Sequence, residues 1–237
     1  QVLTYNRPLA LRRLLSSLAH ADYEGDTVDL EIWMDGPRGQ TPMEKYQMEQ
    51  VEKEAKEFEW KFGFKGLFTR TENVGLVGQW LGCFNVPPKP VQEGQAIGHR
   101  PEVVIFEDDM EVSPVFWRWL RTAWSHYRRR TDLVGISLQH QHTRAAGNDL
   151  VLSVNNDFRP YLYKIVGSWG FSPHPRIWPQ FLKWQREKQE SGYEPNDIQF
   201  RGSDIITTVW WKNFRKEGKD PKMWTQWMMR YMENEGL

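Results

Sequence analysis

The chain has 237 residues, and its 31 Lys and Arg side chains balance 31 Asp and Glu side chains. A protein built mainly to hold nucleic acid or an anionic membrane carries a basic excess, so this balance argues against both partners. Hydrophobic residues make up 39%, enough for a sizeable core, and no apolar run approaches the about 18 residues of a membrane span. We expect one globular domain over 1–237 that has no membrane contact of its own.

Strand and helix patterns alternate over the first 110 residues. The patterns predict, in chain order, a strand at 2–5, a helix carrying Leu11, Leu14, Leu15 and Leu18, a strand at 28–34, a helix at 43–62, a strand at 64–69, a helix at 73–84, a loop at 86–101 and a strand at 103–106. The last strand is a continuous apolar run, typical of a strand buried on both faces. This alternation predicts an α/β fold with a parallel sheet and right-handed crossovers.

The second half of the chain is less regular and rich in tryptophan. The patterns predict a helix at 115–127, strands at 133–138, 150–154 and 161–166, a loop at 167–170, and helices at 176–188, 204–216 and 222–234. We therefore divide the domain into a regular half, 1–112, and an irregular half, 113–237.

Three carboxylates, Glu107, Asp108 and Asp109, come directly after the buried strand. Ligands of open α/β sheets bind at the carboxyl ends of the strands. Adjacent carboxylates at such a place repel each other unless a positive charge neutralises them. Mg²⁺ or Mn²⁺ prefers carboxylate oxygens together with the phosphates of a ligand. The cluster therefore indicates a divalent-cation site, with a solvated acidic turn or a helix cap as the alternative.

The segment at 104–116, with the sequence VIFEDDMEVSPVF, resembles the metal-binding segment of Golgi N-acetylglucosaminyltransferases. The similar enzymes add β-1,2-linked GlcNAc to the N-glycan mannose core or to protein O-mannose. Tyr5-Asn6-Arg7-Pro8 and the stretch at 32–36 also resemble this family, and the resemblance covers about residues 1–125. It implies the GT-A fold: a mostly parallel, Rossmann-like sheet with flanking helices and an irregular acceptor-side half.

The resemblance also implies roles for individual residues. Asp109 is the expected metal ligand, Asp108 the contact to the donor ribose, and Glu107 the residue that faces the transferred sugar. Asp35 is expected to accept a hydrogen bond from uracil, and Arg7 to hold the nucleotide, as guanidinium groups do with phosphates. The ordinary alternatives are a turn aspartate for Asp35 and a surface arginine at a helix start for Arg7.

Inverting sugar transfer needs a carboxylate that takes the proton of the acceptor hydroxyl. Asp204, which follows glycine at a predicted helix start, is the best candidate for this base, and Asp197 is the competitor. The alternative for Asp204 is a helix cap. Trp169 lies in a predicted loop between glycines, where its ring suits acceptor binding, whereas most other tryptophans are expected in the core.

Three histidines are weaker candidates for metal ligands. His140 and His142 would share one face of a strand, and His174 follows the predicted loop at 167–170. Polar surface positions are the more common explanation for the first two.

The resemblance implies a metal-dependent glycosyltransferase that moves GlcNAc from UDP-GlcNAc, with Mn²⁺ or Mg²⁺, to a glycan or glycoprotein acceptor with inversion. A sugar nucleotidyltransferase is one alternative, although Asn6-Arg7-Pro8 stands where such enzymes carry a glycine-rich, basic phosphate segment. A non-catalytic carbohydrate-binding module is another. The family resides in the Golgi lumen, with any anchor expected upstream of Gln1. The single Cys83 permits no intrachain disulfide and leaves a cytoplasmic location open.

Overall fold

A computed structural model describes residues 1–39, 41–83, 102–145, 152–155, 157 and 159–237. The elements of the first half are β1 (Val2–Thr4), α1 (Pro8–Ala19), β2 (Leu30–Met34), α2 (Pro42–Glu57), β3 (Lys65–Thr69), α3 (Gly75–Gly82) and β4 (Phe106–Glu107). Those of the second half are α4 (Phe116–Tyr127), β5 (Gly135–Ser137), β6 (Phe171–Pro173), α5 (Ile177–Glu190), β7 (Gln199–Phe200), β8 (Ser203–Asp204), α6 (Ile206–Lys216) and α7 (Trp224–Glu235). The predicted loop at 86–101 lies outside the described residues.

The first four strands form one parallel sheet in the order β3-β2-β1-β4. In the register of this sheet, Val2 lies opposite Ile32 on one side and Phe106 on the other. Successive strands are added outward from β1 to β3, and β4 then returns to the free side of β1. The predicted α/β class, parallel central sheet and flanking helices are confirmed.

Helices cover both faces of the sheet because neighbouring strand residues point to opposite faces. Val2 packs into a cluster with the leucines of α1 and the buried face of α4, including Trp124. Leu3 packs into a second cluster with residues of α3, α5 and α7, among them Trp80 and Trp224. The tryptophans expected in the core supply much of this second cluster.

The second half joins the sheet through an antiparallel contact. The main chains of Ile105 and Phe171 exchange hydrogen bonds of 2.9 and 3.1 Å, which places β6 beside the start of β4. The antiparallel pair of β5 and β6 continues from there. This contact fixes the loop before β6 against the carboxyl end of the parallel sheet.

The helix predicted at 43–62 is too long. It ends at Glu57, and Phe58 is already extended, with φ −63° and ψ 126°. The ammonium of Lys65 donates to the carbonyl oxygens of Ala55, Lys56 and Phe58 at 2.5 to 2.9 Å. A lysine from β3 thus satisfies carbonyls that a longer helix would use.

Two further predictions of the second half are wrong. Residues 161–166 form no strand, because the alternation there reflects tyrosines whose hydroxyl groups donate to main-chain oxygens of Gln141 and Thr143. Asp204 lies in β8 and is not at a helix start, since α6 begins at Ile206 and its N-cap is Ile205. Of the strand predicted at 150–154, the first two residues lie outside the described residues and the next three form no strand.

Within the described residues, no helix combines the length and the apolar character needed to cross a membrane.

Candidate functional site

The strand order changes direction between β1 and β4, so the carboxyl ends of these two strands border a crevice. Ligands of open α/β sheets bind at such a switch point. Arg7 follows β1, while Asp108 and Asp109 follow β4. The topology therefore brings together side chains that stand about a hundred residues apart in the chain.

Arg7 bridges the two aspartates. One of its terminal nitrogens lies 2.8 Å from Oδ2 of Asp109, and the other lies 2.5 Å from Oδ1 of Asp108. The second contact is an ion pair without hydrogen-bond geometry, so this buried oxygen of Asp108 accepts no hydrogen bond from the described residues. The carboxylates need a positive charge here, and the chain supplies one from Arg7.

The two aspartates differ in exposure. The side chain of Asp108 is 1% exposed, whereas that of Asp109 is 48% exposed. An exposed carboxylate oxygen at a sheet edge can coordinate a cation that also binds a ligand from solvent. Asp109 therefore has the accessibility of a metal ligand, and Asp108 is fixed behind it.

Two residues that the sequence analysis did not assign to the site hold the other carboxylates. The hydroxyl of Thr4, in β1, donates to Oδ2 of Asp108 at 2.7 Å. The indole N–H of Trp80, in α3, donates to Oε1 of Glu107 at 3.0 Å. Trp80 is itself stacked on Trp224 of α7, with ring centroids 4.3 Å apart. No local motif marks these two residues, because the contact of Thr4 follows from the pairing of β1 with β4 and that of Trp80 from the packing of α3 beside β4.

Burial shifts the protonation of this cluster. It raises the pKa of Asp108, although the hydrogen bond from Thr4 and the charge of Arg7 act in the opposite direction. Burial also raises the pKa of Glu107, against the hydrogen bond from Trp80. Carboxylates that are partly deprived of water gain more from a nearby cation than exposed ones do.

Asp35 follows β2 at the same edge of the sheet and is buried. Its Oδ1 accepts the main-chain N–H groups of Gly36 and Val74, both at 2.9 Å. Its Oδ2 accepts the N–H of Gly75 at 2.9 Å and the side-chain amide of Asn73 at 3.1 Å. These four bonds use the acceptor capacity of the carboxylate. Asp35 thus anchors the start of α3, and its contact to a uracil stays a prediction.

A cleft of about 1640 Å³ adjoins the cluster. Its walls include Asp109 and Glu111 after β4, Trp169 in the loop before β6, and Arg201 in the turn between β7 and β8. Glu111 is an exposed carboxylate of the cleft that the sequence analysis did not name as a site residue. The cleft is large enough for a drug-sized or disaccharide-sized ligand.

Trp169 is 63% exposed and lines this cleft. Gly170, at φ +71°, and Gly167 leave no space for a side chain, since an added Cβ would lie within 3 Å of Phe106 and Ser137, respectively. The glycines thus hold the tryptophan loop close to the sheet. An exposed indole in a cleft offers a flat apolar surface to a ligand, and a role of Trp169 in acceptor binding stays a prediction.

Neither base candidate is among the residues that line the cleft. Asp204 pairs with Lys212 at 2.5 Å, and the hydrogen bond from this lysine lowers the pKa of the carboxyl group. Gln199 also donates to Asp204, at 3.2 Å. Asp197 is exposed and pairs with Arg230. Both carboxylates are engaged by cations of their own half, and a role as base stays a prediction for each.

The histidine candidates have protein partners as well. The ring nitrogens of His140 and His142 lie 3.2 Å from each other. His174 is buried, accepts the N–H of Arg176 at Nδ1, and so donates from Nε2 to the carbonyl of Arg128. Burial lowers the pKa of His174 and keeps it neutral. Within the described part of the chain, no three His, Cys, Asp or Glu side chains converge to hold a metal alone.

Compared with known protein families and with curated proteins, the sequence matches none of them.

Proposed function

We propose that this chain is a metal-dependent glycosyltransferase of the GT-A type that transfers GlcNAc from UDP-GlcNAc to a hydroxyl of a glycan acceptor with inversion. One observation carries the proposal: Arg7, Asp108 and Asp109 meet at the switch point of a parallel sheet. A nucleotide diphosphate and a divalent cation match these side chains: the negative diphosphate suits the arginine, and the positive cation suits the pair of aspartates.

The residues of the cluster fit a bound cation. Asp109 would hold Mn²⁺ or Mg²⁺ through its exposed carboxylate, beside Asp108, whose Oδ1 pairs with the charge of Arg7 and accepts no hydrogen bond from the described residues. A mononuclear site that is completed by ligand phosphates needs only one or two protein carboxylates, so a cluster of three ligands is not required. When bound, the cation neutralises the leaving diphosphate.

The side chains around the cation have distinct tasks. Arg7, which neutralises both aspartates in the free protein, is expected to pair with the diphosphate of the donor. Thr4 fixes Asp108 for its contact to the ribose, and Trp80 fixes Glu107, which faces the transferred sugar. Hydrogen bonds of this kind orient carboxylates and keep them from rotating away.

A carboxylate must also remove the proton of the acceptor hydroxyl. Asp204 is the base expected from the sequence, and Glu111 is a carboxylate that lines the cleft together with Trp169. Removing a general base lowers turnover by roughly 10²- to 10⁴-fold, so Asp204→Asn and Glu111→Gln distinguish the two. The base is the residue whose variant loses turnover and keeps the affinity for the donor.

A carbohydrate-binding protein that uses no nucleotide is the second candidate. It is favoured by Asp35, whose carboxylate already accepts four hydrogen bonds and has no free acceptor site for a uracil N–H. Such a protein would bind glycans through the cleft without metal.

Calorimetry with a panel of nucleotide-sugars, each with and without Mn²⁺, tests the proposal. We expect one UDP-sugar, UDP-GlcNAc, to bind only with Mn²⁺, and this binding to disappear in Asp109→Asn. Asp132→Asn is the matched control, since Asp132 lines the same cleft and its side chain is 52% exposed. Metal-independent glycan binding without any nucleotide-sugar binding would replace the transferase with the second candidate.

A further inference from the structure

Apart from Arg159 and from Arg130 and Asp132, which pair with each other, the Asp, Glu, Lys and Arg residues that line the cleft fall into two groups. Asp109 and Glu111 follow β4, at the edge of the parallel sheet. A second group is basic and consists of Arg144, Lys164 and Arg201, from three loops of the second half. We call these three residues the basic group. The overall charge balance of the chain thus conceals a cleft with one acidic and one basic region.

Two members of the basic group converge on one aromatic ring. Lys164 Nζ lies 5.9 Å from the ring centroid of Phe200, and the guanidinium carbon of Arg201 lies 5.2 Å from it. Among the described residues, neither cation takes part in an ion pair. Two cations that contact the same ring, neither of them paired with a carboxylate, attract an anion.

The backbone conformation at Arg201 is one that arginine rarely adopts. Arg201 and Gly202 form the two-residue turn between β7 and β8, with φ angles of +51° and +79°. Such turns favour Asn, Asp or Gly at the first position, because other residues are disfavoured in the left-handed region. The chain thus keeps an arginine at a position where its backbone preference is poor, and the side chain lines the cleft.

Flat aromatic surfaces accompany these cations. The hydroxyl groups of Tyr161 and Tyr163 are bound to main-chain oxygens of Gln141 and Thr143, and both tyrosines line the cleft. Trp169 adds an exposed indole. A ligand with an apolar ring face and a negative charge matches both kinds of surface.

We propose that the acceptor carries an anionic group, a phosphate, sulfate or carboxylate on a sugar, which Lys164 and Arg201 bind in this cleft. That this ligand is an acceptor rests on the proposed glycosyltransferase function. That the cleft binds an anionic sugar rests only on the residues that line it. Charge-assisted hydrogen bonds from two cations would then select charged glycans over neutral ones.

Calorimetry without nucleotide and without metal tests this site. The ligands are mannose, mannose 6-phosphate, mannose 6-sulfate, glucuronic acid and inorganic phosphate. We expect at least one anionic sugar to bind tenfold or more tightly than mannose and than phosphate alone, and to bind more weakly as salt increases. The preferred ligand then identifies the anionic group.

Three variants make the test specific. Arg201→Asn and Lys164→Gln are each expected to weaken the anionic sugar about tenfold, while Arg13→Gln, which changes an exposed arginine of α1, leaves it unchanged. Because asparagine suits the left-handed turn, Arg201→Asn should retain or raise the midpoint of thermal unfolding, so misfolding cannot explain the loss.

Equal affinity for mannose and all the anionic sugars would overturn the proposal, as would an unchanged preference in Arg201→Asn. Inorganic phosphate that binds as tightly as the best sugar would also overturn it, because the site would then recognise no sugar. This experiment contains neither UDP-GlcNAc nor Mn²⁺, so a negative result would not contradict the proposed transferase function. Likewise, a failure of UDP-GlcNAc to bind with Mn²⁺ would not contradict the binding of an anionic sugar.

Discussion

In the first half of the chain, buried neighbours hold the carboxylates of the site, whereas in the second half the charged groups of the cleft lie on loops and hairpin turns. Thr4 and Trp80 fix Asp108 and Glu107 from regular elements. Arg201 and Trp169 instead extend from tight turns whose glycines permit a close approach or a positive φ. A rigid sheet edge would suit the proposed donor and cation, and loops would suit recognition of the proposed acceptor.

The largest expected effect is on the free energy of unfolding, and it distinguishes buried from exposed tryptophans of the second half. Trp178 is fully buried in the cluster that covers one face of the sheet, so Trp178→Ala should cost about 3–5 kcal/mol of unfolding free energy. Trp169→Ala removes an exposed ring and should change stability by less than about 0.5 kcal/mol. Urea unfolding measures both values, and a similar loss in the two variants would contradict the division into core and ligand-binding tryptophans.

The next effect compares one carboxylate from each half. Asp35→Ala removes four hydrogen bonds at the start of α3 and should cost about 2 kcal/mol or more. Asp204→Ala breaks a partly exposed pair with Lys212 and should cost under about 1 kcal/mol. Equal costs in chemical unfolding would mean that the acidic residues of both halves contribute alike to the fold.

The third effect is on ligand affinity and concerns the residues behind the proposed cation site. Thr4→Val removes the hydrogen bond to Asp108 and should weaken the binding of UDP-GlcNAc with Mn²⁺ by roughly 10- to 100-fold. Thr122→Val serves as the control, because Thr122 is exposed on α4 and donates only to the carbonyl of Arg118. Unchanged affinity in Thr4→Val would show that Asp108 needs no support from β1.

Acid should affect the two halves in sequence. The pKa of buried His174 is lowered, so its stabilising contribution is present above the ordinary value near 6.5 and is lost as the pH falls through the lower folded value. Hydrogen bonds from the Tyr5 hydroxyl and from the main chain at Arg38 lower the pKa of Glu44 to about 2, so its contribution persists to more acidic pH and disappears between about 4.5 and 2. Hydrogen exchange followed against pH should therefore detect opening around His174 first.

Matched variants check that order. Glu44→Gln should flatten the stability profile between pH 4.5 and 2 and leave it unchanged near pH 6. Loss of protection in α1 and α2 before any loss around His174 would reverse the predicted order and contradict it.

The sequence predicts the first half well because its signals are local. The apolar run before Glu107 predicts a buried strand, and the alternation of strand and helix patterns predicts the parallel sheet, whereas the contact of Arg7 with the two aspartates was found only in the structure. Thr4 was not predicted as a site residue, because its role depends on the register of β1 against β4, strands that lie a hundred residues apart. The four hydrogen bonds that the Asp35 carboxylate accepts likewise depend on how the chain leads into α3.

The second half is harder to predict because tertiary contacts override its local patterns. The alternation at 161–166 is that of a strand, yet its tyrosines bind loop oxygens and line a cleft. Asp204 stands two residues after Gly202, where a helix is predicted to begin, yet the hairpin of β7 and β8 delays the helix by two residues. In the first place, contacts with the main chain about twenty residues away decide the structure, and in the second a local hairpin does.

Electron paramagnetic resonance of Mn²⁺ tests most directly whether the carboxyl edge of the parallel sheet binds a divalent cation together with a nucleotide diphosphate, as we propose. The signal of free Mn²⁺ is titrated with the protein in the presence of saturating UDP. We expect one Mn²⁺ per chain to be lost from the free signal, and we expect Asp109→Asn to abolish this loss while Asp132→Asn retains it. A free signal that the protein leaves unchanged, or an equal loss in Asp109→Asn, would contradict this proposal.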